Sequence, residues 1–272
     1  MLAAAALIVA LTPATAFAQA RVLGSDVRGR MVERDVRVTD VAPEWLAIPA
    51  EGRLETSGGV QVAPLQSASV SYENAGLGML IGAFRNVGRC LRDVSVRFVY
   101  VDAQGQAIGA PIENEARVTW IDPDGLLPYR FRLRSRTELE RPAAAYVLRL
   151  VEGTEPGGGT ACPARPYAFE VVKGKSRTTS KSYQVTGTLR IVAGGPIRPD
   201  GITLTALLLD EAQQVLEVLT GAPDTTGANL PTGLLEDGLV LPFRLATPVP
   251  LGKWVTDVQV FAEVLPDAQV AR

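Results

Sequence analysis

The sequence contains no histidine. That excludes Ser-His-Asp and Cys-His nucleophilic catalysis, histidine-ligated zinc or copper, and imidazole acid–base work. A Ser-Lys dyad would need one of four lysines, and Lys173, Lys175 and Lys181 share one polar stretch while Lys253 stands alone. Paired carboxylates occur at Asp122/Asp124 and Glu236/Asp237. A glycosidase needs two carboxyls facing across a cleft at about 5–10 Å; these pairs sit in turn sequences and read as turn caps. Asp122-Pro-Asp-Gly offers first ligands for calcium, but the later positions of an EF-type loop are missing. Asp224-Thr-Thr-Gly227 departs from the aspartic-protease Asp-Thr-Gly by one Thr and reads as a loop. The glycine runs Gly76–Gly82 and Gly157–Gly159 lack the lysine and the strand-to-helix context of a phosphate cradle. The expectation is a non-enzyme without cofactor or metal.

Two cysteines, Cys90 and Cys162, are the remaining reactive groups. The first twenty residues, MLAAAALIVALTPATAFAQA, form an apolar run ending in two small-x-small sites, as a signal peptide does, although the basic start is missing. No Cys follows that run, so it carries no lipobox. An even number of cysteines in an exported chain predicts a Cys90–Cys162 bridge in the periplasm, cell envelope or medium of a bacterium. Charges nearly balance, with Lys+Arg 27 against Asp+Glu 29, so neither nucleic acid nor a polybasic membrane contact is expected. No later segment is apolar for long enough to insert the mature chain in a membrane. Apolar content of 47% is enough to build cores.

The elements that carry these residues have the strand period. Val94–Tyr100, Arg117–Trp120, Tyr129–Leu133, Tyr146–Leu150, Ile202–Ala206 and Val258–Phe261 alternate apolar and polar residues, and Asp-Gly or Gly-Pro turns separate them. Leu207–Leu219 could be a helix or two strands around a turn at Asp210–Gln213. An internal repeat decides for the turn. Ile81-Gly82-Ala83-Phe84-Arg85 matches Thr186-Gly187-Thr188-Leu189-Arg190, Phe98–Asp102 matches Ala206–Asp210, and Asp124-Gly125…Leu127-Pro128-Tyr129-Arg130 matches Asp237-Gly238…Leu241-Pro242-Phe243-Arg244. A strand closes each series, at Tyr146–Val151 and Val258–Val264. The Pro-aromatic-Arg repeat reads as a strand start near a sheet edge, aromatic inward and Arg outward.

The predicted fold is all-β: two tandem immunoglobulin-like antiparallel β-sandwich modules with an N-terminal extension. The expected boundaries are 1–20 signal peptide, 21–76 extension with added strands, 77–173 first module, 174–182 linker, 183–266 second module and 267–272 tail. Phe98-Val-Tyr100-Val-Asp102 and Ala206-Leu-Leu208-Leu-Asp210, with Gly82-Ala-Phe-Arg-Asn86 upstream, resemble the signature of FxLYD domains. That resemblance implies an immunoglobulin-like module of exported prokaryotic proteins. It assigns structural roles to Gly82, Phe98, Tyr100, Asp102, Leu208 and Asp210, and no catalytic residue.

Two functions follow as expectations. The first is a non-catalytic interaction or structural module for another envelope polypeptide, with Trp45 in the extension as a partner contact. The second is a carbohydrate or cell-wall binding module in which Trp45, Trp120 or Trp254 stacks on sugar. Burial of Trp120 and Trp254 would favour the first.

Overall fold

A computed structural model of the chain describes residues 47, 51–57, 60–64, 69–73, 77–151, 162, 165–179, 182–213, 215–247, 255–265 and 268. The expected signal peptide, Trp45, Trp254, the start of the expected extension and most of the tail lie outside the described residues. The described chain is all-β, with a 3-10 turn at Arg136–Glu138. The strands of the first half are β1 (Glu51–Ser57), β2 (Val62–Pro64), β3 (Ser69–Glu73), β4 (Leu77–Asn86) and β5 (Leu91–Arg92). They continue with β6 (Ser95–Val101), β7 (Ile112–Glu113), β8 (Trp120–Ile121), β9 (Leu126–Leu133) and β10 (Ala145–Val151). The second half holds β11 (Ala168–Thr178), β12 (Tyr183–Ala193), β13 (Ile202–Leu209), β14 (Val215–Gly221), β15 (Val240–Ala246) and β16 (Asp257–Val264).

Four larger sheets result: β1-β10-β6-β7, then β4 with β2 and β3 on one side and β9 on the other, then β14-β13-β16, then β11-β12-β15. Three apolar layers lie between successive sheets. Phe98, Tyr100, Tyr146 and Leu148 meet Phe84, Tyr129 and Phe131 in the first. Leu204, Ala206, Leu208 and Leu219 meet Leu189, Ile191, Leu241 and Phe243 in the third. Between them, Met79, Ile81, Ala83 and Leu126 of β4 and β9 pack on Leu207, Leu209, Val215 and Val218 of β13 and β14. Burying apolar faces at roughly 25 cal/mol per Å² is what joins the two halves into one stack.

The repeated sequence takes corresponding places in the two halves. Gly82 is opposite Tyr129 across β4 and β9, and Gly187 is opposite Phe243 across β12 and β15. A Cβ on Gly82 would come within 2.2 Å of the Tyr129 hydroxyl, and one on Gly187 within 2.5 Å of the Phe243 ring. Each ring therefore lies over a glycine, which explains why Gly and the aromatic recur together. Pro128 and Pro242 sit in β9 and β15, both end strands of their sheets, where no ladder bond from the proline nitrogen is needed. The signature aspartates cap the turns that follow. Asp102 Oδ1 accepts the amides of Gln104 (3.0 Å) and Gln106 (2.8 Å), and Asp210 Oδ1 accepts that of Ala212 (2.9 Å). Leu207–Leu219 is two strands around this turn, β13 and β14.

Several expectations are corrected. Arg244 points outward and is exposed, but Arg130 is 7% exposed, because the outer face of β9 is covered by β13 and β14. The stretch 174–182 is not a linker. It is strand through Thr178, where β11 ends, and Thr179 N–H donates to Ser182 O at 2.7 Å just before β12 begins. β11 begins before residue 173 but pairs with β12 of the second half. Arg117–Trp120 is a strand only at Trp120–Ile121. Within the extension, β2 and β3 pair with β4, and β1 lies on β10 in parallel, so the sheets are not wholly antiparallel.

The outer faces of the two equivalent sheets differ. Ile81 and Ala83 on β4 correspond to Thr186 and Thr188 on β12 by their registers with Arg130/Arg244 and Pro128/Pro242. At the other end of the stack, Val99, Val101, Ala145 and Val147 on the outer face of β6 and β10 are buried.

Candidate functional site

The predicted bridge is present: Cys90 and Cys162 are joined, with Cα atoms 5.0 Å apart. Cys90 precedes β5 of the first half yet is fully buried among the residues of the third apolar layer. The bridge therefore ties the paired strands β5 and β8 to the chain that leads into β11, on one side of the junction between the halves. Trp120 packs beside it at 5% exposure, with the Arg92 guanidinium 4.9 Å from its ring centroid. Its faces are thus occupied by the protein.

Phe98 and Tyr100 lie in the first apolar layer with Gly82 beneath Tyr129, and Leu208 lies in the third. The resemblance residues are spread through the framework and do not converge on one place. Asn86, fully buried, donates from its side chain to the carbonyls of Arg89 (2.7 Å), Ile121 (3.1 Å) and Asp122 (3.1 Å), fixing the turn before Gly125. Asp122 in that turn pairs with Arg165 at 3.2 Å. Asp224 accepts the Thr226 amide at 2.8 Å in a loop, and Asp237 the Gly195 amide at 2.8 Å. These carboxylates serve turns. Among the described residues no three acidic or sulfur groups gather as a metal would require.

Two ionic sites that the sequence reading missed lie at the junction. Arg130 Nε meets Glu115 at 2.8 Å, and its Nη1 donates to the Val218 carbonyl at 2.9 Å and lies 3.8 Å from the Glu217 carboxylate. Burial pulls the Arg130 guanidinium below its ordinary range, and Glu217 acts against that shift. The second is Glu263, 2% exposed at the end of β16, whose carboxylate accepts the Tyr167 hydroxyl and groups of Thr119. Burial raises the Glu263 carboxyl above its usual range, and its hydrogen bonds oppose the rise. Burial likewise raises the Tyr167 phenol.

Beside Glu263 a half-open groove of about 490 Å³ runs between β11 and β16. Tyr167, Phe169 and Val171 form one wall, and Val260, Ala262 and Glu263 the other. Phe169, Val171, Val260 and Ala262 are only partly buried against the third apolar layer, so that layer is accessible from the side. Asp122 and Arg165 stand at the rim. This groove can hold an apolar, extended guest; its one buried carboxyl is engaged by the Tyr167 phenol, and its second carboxyl, exposed Asp122, is paired with Arg165. No signal short of the strand order in space could have located it, because its walls come from residues about ninety positions apart in the sequence.

No protein-family model matches the chain, and no curated protein matches it. Among the described residues no helix is long and apolar enough to cross a membrane.

Proposed function

We propose that the chain is a non-catalytic interaction component of the bacterial envelope, built on tandem immunoglobulin-like modules related to FxLYD domains, that binds another polypeptide. The observation that carries the reading is the groove between β11 and β16, where partly buried Phe169, Val171, Val260 and Ala262 leave a sheet edge and an apolar layer open together. That combination suits an extended chain, whose backbone bonds to the edge while alternate side chains enter the layer. Export is supported by the N-terminal run of small and apolar residues and by the Cys90–Cys162 bridge. The Arg92–Trp120 contact and the burial of Trp120 speak against that residue as a sugar platform.

The test is affinity capture by the oxidised full chain from envelope extract of its source, then titration calorimetry with the captured protein after purification. A saturable one-to-one isotherm with a polypeptide is the expected result. Enrichment confined to wall or glycan fractions, or turnover of a glycan or peptide panel, would overturn the reading.

A further inference from the structure

The internal repeat supplies a filled version of the groove. Ala145 of β10 is opposite Val101, the residue before Asp102; Asp257 of β16 is opposite Leu209, the residue before Asp210. The two strands then match residue for residue, Tyr146 with Val258, Leu148 with Val260, Leu150 with Ala262 and Val151 with Glu263. On its other edge β10 carries β1, paired in parallel from Glu51 opposite Ala145 to Ser57 opposite Val151. The matching edge of β16 carries no strand among the described residues. Burial records the difference: Leu148 and Leu150 are buried, whereas Val260 and Ala262 are partly exposed to the groove.

We infer that the edge Asp257–Glu263 receives an extended segment of a partner polypeptide, added parallel to β16 as β1 is to β10; this rests on the polypeptide-binding reading above. The incoming strand spans about seven residues, or roughly 23 Å at 3.3 Å per residue. At the start of the edge the Val258 carbonyl accepts Lys173 Nζ at 2.6 Å and its amide donates to the Asp257 carboxylate at 2.8 Å. Lysine at such a position also discourages indiscriminate strand pairing.

The side chains set what the segment looks like. In β1 the residue opposite Tyr146 is Gly52, because a Cβ there would lie 2.3 Å from the ring. Val258 replaces that ring in the second half, so the guest takes a branched aliphatic residue where β1 has glycine. The following inward positions, opposite Val260 and Ala262, take aliphatic residues that cover Phe169 and Val171. Glu55 of β1 pairs with Arg149 at 3.0 Å; Phe261 stands at the matching place on β16, so the guest needs no acid there. The partner segment is a proline-free run of alternating aliphatic residues.

The probe is a synthetic nonapeptide of residues 50–58 carrying Gly52→Val and Thr56→Val, added to the oxidised full chain and read by hydrogen exchange. Amides of β16 should slow by about tenfold or more at saturation, a stabilisation of about 1.4 kcal/mol, while those of β10 stay unchanged. A photo-cross-linker on the peptide's C-terminus should label 119–122 or 165–167, and one on its N-terminus the neighbourhood of Lys173. Val171→Lys should abolish protection, with β13 exchange in the same spectra reporting that the chain is folded. A peptide with Asp at its inward positions, tested on the unaltered chain, should give none. Unchanged β16 amides, reversed cross-linking, or protection that survives Asp at the inward positions would overturn the inference. So would a free chain that is dimeric with β16 already protected, since the occupant would then be a second copy. If the captured partner binds normally to Val171→Lys, the edge is refuted and polypeptide binding stands. If no partner is captured, the functional reading fails whatever the peptide does.

Discussion

Arg130 and Arg244 occupy the same place in the repeat, and the structure assigns them very different energies. Arg244 is exposed on β15, so Arg244→Met should change stability by no more than about 0.5 kcal/mol. Arg130 is enclosed between β9 and β14, with Glu217 1% exposed beside it. Arg130→Met removes the cation that Glu217 faces and the donor to the Val218 carbonyl, leaving a buried negative charge. Breaking such a pair costs about 3–5 kcal/mol; the exposed Glu115 contact adds little. Methionine fills much of the volume, so about 3 kcal/mol is expected. With a urea dependence of about 3 kcal/mol per molar for a chain of this size, the midpoint falls by about 1 M. Arg130→Met with Glu217→Leu removes both charges and should recover about 2 kcal/mol, appearing as a coupling of that size in the double-mutant cycle. The assay is equilibrium urea unfolding of the four chains with the bridge intact. Equal losses for Arg130→Met and Arg244→Met, or additive losses for the pair, would refute the argument that the junction is sealed around a buried ion pair.

Gly187→Ala should cost about 1–3 kcal/mol by forcing a methyl into the Phe243 ring, and Phe243→Leu in the same chain should relieve part of it; thermal melts of the three variants check this. For Glu263 the folded carboxyl holds its proton more tightly than the unfolded one, so its contribution is fully present below the unfolded value and is lost as pH rises through the folded value. Stability should therefore fall over the range just above pH 4.5, and Glu263→Gln should flatten that fall in urea titrations at successive pH values. Reducing the Cys90–Cys162 bridge frees a separation of 72 residues and should cost about 4 kcal/mol in the chain-entropy model, measured as the difference in unfolding free energy with and without reductant.

The sequence pattern was most informative where one strand face meets water. Along β15, exposed Val240, Pro242 and Arg244 alternate with buried Leu241, Phe243 and Leu245, and the period is plain. Along β9 the same motif is buried on both faces, because Leu126, Pro128 and Arg130 lie against the second half. A charged residue in a strand reads as a surface residue until the opposing sheet is placed, and so Arg130 and Glu217 carried no sign of their junction. Lys173, Lys175 and Arg177 read as a solvated linker for a related reason. They lie in the exposed second half of β11, an end strand whose polar side chains look no different in sequence from those of a loop. The disulfide and the turn aspartates were legible because their chemistry is local or pairwise. The parallel pairing of β1 and the open edge of β16 were not, since both depend on which strands become neighbours.

The difference between Ile81 and Ala83 on β4 and Thr186 and Thr188 on β12 bears on how a chain with an internal repeat avoids becoming a fibre. The contact that seats β13 and β14 on the outer face of β4 and β9 joins two unlike surfaces of the repeat, and nothing in such a contact closes on itself. Had the second copy kept the aliphatic face, each chain would present at one end the surface that another could cap, and growth could proceed without limit. Thr186 and Thr188 make the outer face of β12 less apolar than that of β4, although Val172, Val192 and Val240 remain exposed on the same sheet, and at the other end the valines of β6 and β10 are buried. Each end of the stack therefore offers a further copy less apolar surface than the junction between β4, β9, β13 and β14 does.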